Sequence, residues 1–187
     1  MERIVLASGS PRRKQLLEWA EVDFEVKVKD TPENWPPGMA TVDVPVHIAR
    51  NKALAVKAEV GEDRVVLAAD TVVVLAGEII GKPKDRAEAV DILSRLAGQR
   101  HEVITGVALL RNGEEHTFAD VTAVWFHPLS KTEIENYVDK YKPYDKAGAY
   151  AIQEWIGVVG IKGIEGDFYN VMGLPVSRVV QALRRWS

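Results

Sequence analysis

Apolar and polar positions alternate along this chain in several distinct rhythms. Ile4–Leu6 is a short apolar run, followed by Ala7 and a small-residue break at Ser8-Gly9-Ser10. Such a run predicts a buried strand, and Ser10 with Pro11 predicts the start of a helix carrying Leu16 and Leu17 inward. Phe24–Lys29 alternates as a half-exposed strand does, and 30–43, with three prolines and a glycine, reads as a loop. Asp43 is expected to cap a helix running to about Val60 with a wide apolar face. Arg64–Leu75 holds the most apolar stretch of the chain, a strand buried on both faces, with Ala76-Gly77 turning into Glu78–Ile80. Asp85 opens a helix to Leu96. His101–Leu110 and His116–Phe126 are two strands joined antiparallel at Asn112-Gly113. Ser130-Lys131-Thr132-Glu133 is a capping box for a helix to Tyr141. Val158–Ile164 and Phe168–Met172 read as paired strands, and Val176–Trp186 as a last helix. Helices among strands, several of them hairpin-linked, read as an α/β chain.

Composition narrows the function. The 187 residues are 47% hydrophobic and 27% charged, with net charge −3 and no block of one sign. One domain, 1–187, accommodates this length, and nothing favours broad attraction to nucleic acid or anionic lipid. Without cysteine, disulfides and thiolate metal sites are excluded. The four histidines, at 47, 101, 116 and 127, have no metal-ligand spacing. No secretory leader or apolar stretch of membrane-spanning length is visible, so a cytoplasmic enzyme or binding protein is expected.

Chemistry shows where polar groups interrupt the apolar rhythm. Arg12 and Arg13 fall in the first turn of a helix, where the backbone already carries positive partial charge. An anion held by Ser8, Ser10, loop N–H groups and both guanidinium groups would resolve this. A capped helix with two solvated arginines fits equally well. Lys52 lies within an apolar helical arc, so it either snorkels or meets a negative partner. Asp70, followed by Thr71, stands inside the most apolar strand and requires a cation, a metal or several N–H donors. Lys82 is presented on a stiff loop before Pro83. Glu33 reads as a solvated loop acid. Lys146 could reach a phosphate, and Gln153 could read a base edge. Several cations around one buried acid suit a triphosphate with a divalent metal.

These segments also form an ordered set of motifs. They are Ser8-Gly9-Ser10-Pro11-Arg12-Arg13, Lys52-Ala53, Ala69-Asp70-Thr71-Val72, Gly81-Lys82-Pro83 and Thr105-Gly106-Val107. Asp145 through Gln153 and Asn170-Val171-Met172-Gly173-Leu174-Pro175 complete it. The whole series resembles the Maf family of nucleotide pyrophosphatases, also described as septum-formation inhibitors. The resemblance implies a long mixed sheet with flanking helices and two lobes around a cleft, as in the inosine triphosphate pyrophosphatases. It implies cleavage of a nucleoside triphosphate to monophosphate and pyrophosphate with Mg2+ or Mn2+. Asp70 then matches the general base and a metal ligand. Ser8, Ser10, Arg12, Arg13, Lys52 and Lys82 match phosphate-binding positions, and Glu33 an acidic position near the metal. Arg12, Thr71 and Gln153 match specificity positions of the branch acting on dTTP and UTP, with modified pyrimidine nucleotides as further substrates. A homodimer is expected by the same analogy. Two alternatives stand beside this: a non-catalytic regulator of cell division, and a purine- or 7-methyl-GTP-directed pyrophosphatase.

Overall fold

The computed structural model describes residues 2–186. Its elements in chain order are β1 (Ile4–Leu6), α1 (Pro11–Trp19), β2 (Phe24–Val26), α2 (Val44–Val60), β3 (Val66–Leu75), β4 (Glu78–Ile80), α3 (Arg86–Leu96), β5 (Arg100–Arg111), β6 (Glu114–Phe126), α4 (Lys131–Tyr141), α5 (Trp155–Gly160), β7 (Ile161–Glu165), α6 (Phe168–Met172) and α7 (Val176–Arg184). The seven strands form one mixed sheet in the order β2-β1-β3-β5-β6-β7, with β4 on β3. β1 runs parallel to both β2 and β3, whereas β3–β4 and β6–β7 are antiparallel. β5 and β6 are neighbours joined by Asn112-Gly113, both residues in the left-handed region that a two-residue hairpin needs.

Two compact units emerge. The first holds the described residues through Thr71, then Thr105–Asp120, then those from Gly173 onward. Its core is Val5, Ala7, Ala49, Ala53, Val56, Val66, Ala68, Ala108 and Leu110. Four of those nine are alanines on α2, β3 and β5, so α2 lies close against the sheet. Gly106 continues this: a Cβ there would sit 2.2 Å from Pro45 C and Val46 N, inside any allowed contact. Only glycine lets the first turn of α2 seat on β5.

The second unit is Val72–Ile104 with Val121–Met172. Here α3 packs on α4, burying Leu93, Leu96, Ile134 and Val138.

Several cap signals act as read. Ser10 Oγ accepts from Arg13 N, Asp85 from Glu88 N, and Ser130 with Glu133 closes both bonds of the capping box. Others do not. Asp43 makes no side-chain cap bond, because its own backbone is already helical. β2 stops at Val26, and 27–29 is not strand. Part of the stretch read as the strand Val158–Ile164 is helix: α5 runs to Gly160 and only Ile161–Glu165 is strand. Val158 and Val159 are β-branched but solvent-exposed, so no buried sheet face recruits them. Phe168–Met172 is also helix, because Asp167 caps it, its Oδ1 accepting from Asn170 N at 2.8 Å. That N-cap signal outweighs the aromatic residues' preference for strand.

Candidate active site

The polar interruptions of the first unit come together around Asp70. β3 is buried over Val66–Ala69 and Val72–Val74 and opens between them at Asp70 and Thr71. Asp70 keeps 14% of its side-chain surface exposed. Lys52, two turns into α2, reaches it: Nζ donates to Asp70 Oδ1 at 2.8 Å and to Glu33 Oε1 at 2.7 Å. Lys52 therefore does not snorkel. Its ammonium is the cation that a carboxylate inside an apolar strand requires, and removing it would leave the carboxylate as a poorly solvated charge.

Arg13 is held by three different segments. Nε donates to Gly173 O at 2.7 Å, Nη1 to Ser8 Oγ at 3.1 Å and Nη2 to Thr71 Oγ1 at 3.0 Å. Burial lowers its pKa and neighbouring Arg12 adds to this, while Asp70 and Glu33 act in the opposite direction. A guanidinium stays protonated under such pressure, so the charge is retained in a partly desolvated place. Ser8 Oγ also accepts from Ser10 N at 3.3 Å. With both lone pairs engaged, Ser8 can only donate its hydroxyl hydrogen to a ligand. Ser10 acts as the cap of α1, with Arg13 N 3.4 Å from its Oγ.

Formally, Arg12, Arg13 and Lys52 against Glu33 and Asp70 leave one positive charge around this point. Together with the N-terminus of α1, that favours an anion. The donor set also fits a hard divalent cation. Glu33 and Asp70 converge on one ammonium, and carboxylate oxygens are what Mg2+ or Mn2+ takes, the remaining ligands coming from water and substrate phosphates. No group of three or more His, Asp and Glu gathers among the described residues, so substrate oxygens would have to complete such a site.

A family model described as Maf-like protein matches residues 3–186. The chain belongs to the Maf family. A Cytophaga hutchinsonii relative named dTTP/UTP pyrophosphatase is 50% identical over 182 residues, 97% of this chain and 83% of that protein. A Halalkalibacterium halodurans relative of the same name is 50% identical over 184 residues, 98% of this chain and 96% of its own length. Among solved structures, the Staphylococcus aureus Ham1 protein superposes with a TM-score of 0.49 at 18% identity, covering 67% of this chain and 72% of that one.

Not every position singled out in the Maf motifs lies in the first unit. Lys82 and Gln153 are exposed residues of the second, Lys82 just after β4 and Gln153 just before α5. Lys146 is engaged within that unit. Its Nζ lies 2.9 Å from Asp145 Oδ1 and 3.6 Å from Glu154 Oε1, and Glu154 Oε2 accepts from Tyr137 Oη at 2.6 Å. Lys146 thus fastens its own loop.

Sequence reasoning gave no role to three Maf-motif groups that hold the site: the Gly173 carbonyl, Thr105 and Gly106. Gly173 has φ +122, a conformation that suits glycine and aims its carbonyl at Arg13. A threonine and a glycine in the midst of the apolar run Val103–Leu110 were the available signal.

Proposed function

We propose that this chain is a nucleoside triphosphate pyrophosphatase that cleaves dTTP and UTP to the monophosphate and pyrophosphate. The observation that carries the reading is the Glu33–Lys52–Asp70 ion pair cluster beside Arg13 and Ser8. The names of relatives at 50% identity over nearly the whole chain support the choice of substrate.

In this reading Arg12, Arg13 and Lys52 bind the triphosphate, and their charge counters what builds on its oxygens in the transition state. Ser8 donates its hydroxyl hydrogen to a phosphate oxygen. Asp70 accepts a proton from the attacking water at its carboxylate, and Lys52 holds that carboxylate in place. Attack at the α-phosphorus releases pyrophosphate. Glu33 and Asp70 would hold a divalent cation, which supplies charge neutralisation on the phosphates and a more acidic water. The Maf motifs further assign phosphate binding to Lys82 and reading of the pyrimidine to Gln153. Nucleotide pools place the work in the cytoplasm, and no helix among the described residues is long and apolar enough to cross a membrane.

The test is a panel of dTTP, UTP, CTP, ITP and 7-methyl-GTP, with pyrophosphate release measured with Mg2+, with Mn2+ and with chelator. Release from dTTP and UTP well above the others is expected. Preference for a purine nucleotide, or none released at all, overturns the reading.

A further inference from the structure

Thr105 is fully buried on β5, and its hydroxyl lies 2.9 Å from Thr71 Oγ1. A guanidinium has donors only, so Arg13 Nη2 donates to Thr71 Oγ1 at 3.0 Å. That uses one of the two lone pairs of the hydroxyl, and Thr71 and Thr105 share the 2.9 Å bond in either sense. Gly173 O, at 3.5 Å, is at the outer limit of a hydrogen bond, so Thr105 is the closer partner that orients the Thr71 hydroxyl.

We propose that Thr105 is a positioning residue for anion capture. It fixes the hydroxyl of Thr71, and Thr71 in turn fixes the guanidinium of Arg13. Three of Arg13's five N–H donors are spent on Gly173, Ser8 and Thr71. Among the described residues this leaves one N–H on each terminal nitrogen, a pre-set fork for two phosphate oxygens. Thr71 then influences the substrate through Arg13 rather than by touching the base. The inference rests on the reading that a polyphosphate binds beside Arg13.

Binding of inorganic tripolyphosphate, measured by calorimetry, tests it without requiring turnover. Thr105→Val keeps the side-chain shape and removes the hydrogen-bond partner of Thr71. It should weaken binding by about tenfold, the worth of one hydrogen bond to a site that depends on its orientation. Thr105→Ser keeps the hydroxyl and should stay within about twofold of the parent. In Arg13→Lys the fork is gone, so adding Thr105→Val to it should cost nothing more. If the valine variant does not fold, Thr105→Ala must show the same pattern. Parent-like binding by the valine variant, equal losses in valine and serine, or losses that multiply in the double variant overturn the proposal. So does a parent protein that does not bind tripolyphosphate. A parent that binds it and cleaves neither dTTP nor UTP overturns the substrate reading alone.

Discussion

Each unit has a polar centre inside apolar surroundings, and the two are built on opposite plans. In the first, Asp70, Lys52, Glu33 and Arg13 are all charged, and Asp70 keeps part of its surface in solvent. In the second, His101 is sealed: it stacks on Phe126 at 5.4 Å and meets Tyr150 Oη at 2.7 Å through Nε2. Its Nδ1 is buried without a partner. Nε2 and the Tyr150 hydroxyl share one hydrogen bond, closed off from solvent. Burial, with Arg100 adding to it, brings the His101 pKa down to about 4. The first centre keeps charge available for a ligand. The second suppresses charge and serves packing. Buried polarity alone does not mark an active site; charge held at a partly open point does.

Asp70→Asn separates the two plans most sharply. Lys52 retains Glu33 as a partner, so thermal melting should stay near the parent value. Pyrophosphate release should fall by at least ~100-fold. A variant with most of its activity would remove Asp70 from the role of base.

Gly106→Ala comes next. The added methyl meets Pro45 and Val46 backbone, so α2 must lift from β5 and carry Lys52 with it. A stability loss of about 1–3 kcal/mol in denaturant, with activity falling alongside, is expected. Unchanged activity would mean that the charged centre tolerates movement of α2.

The second centre predicts a pH effect on stability. His101 has a folded pKa of about 4, below its unfolded value near 6.5. Between those values the unfolded chain binds more protons, so stability is fully present above pH 6.5 and is lost as pH falls toward 4. From pH 7 to pH 5 the contribution is about 2 kcal/mol. Denaturant melts of the parent and of His101→Gln at both pH values measure it, and the parent should lose more. Equal losses would mean that His101 titrates normally and that its burial is not closed.

Much of the fold was legible because its signals are local. Ser10, Asp85 and the Ser130–Glu133 box act within one helical turn, and Asn112-Gly113 within one hairpin. The misread segments, α5 and α6, are those where exposure decides: β-branched and aromatic residues suit a strand only if a sheet face covers them. For the site, the apolar pattern was enough to mark Asp70 and Lys52 as polar residues that need a reason. It gave Glu33 no more than a solvated place in a loop, and the structure brings it to Lys52.

By itself, then, the sequence determined which side chains asked for a reason: a carboxylate in an apolar strand, a lysine on an apolar helical face, two arginines at a helix N-terminus. Desolvation makes the first costly wherever the chain goes, whereas the lysine and the arginines had solvated readings that fitted the sequence as well. Which groups answer them was decided only by the tertiary structure. Lys52 is 18 residues from Asp70, and Gly173 is 160 from Arg13. Contacts over such separations depend on how closely α2 seats on β5 and where Gly173 turns the chain, and no local rhythm of residues encodes that.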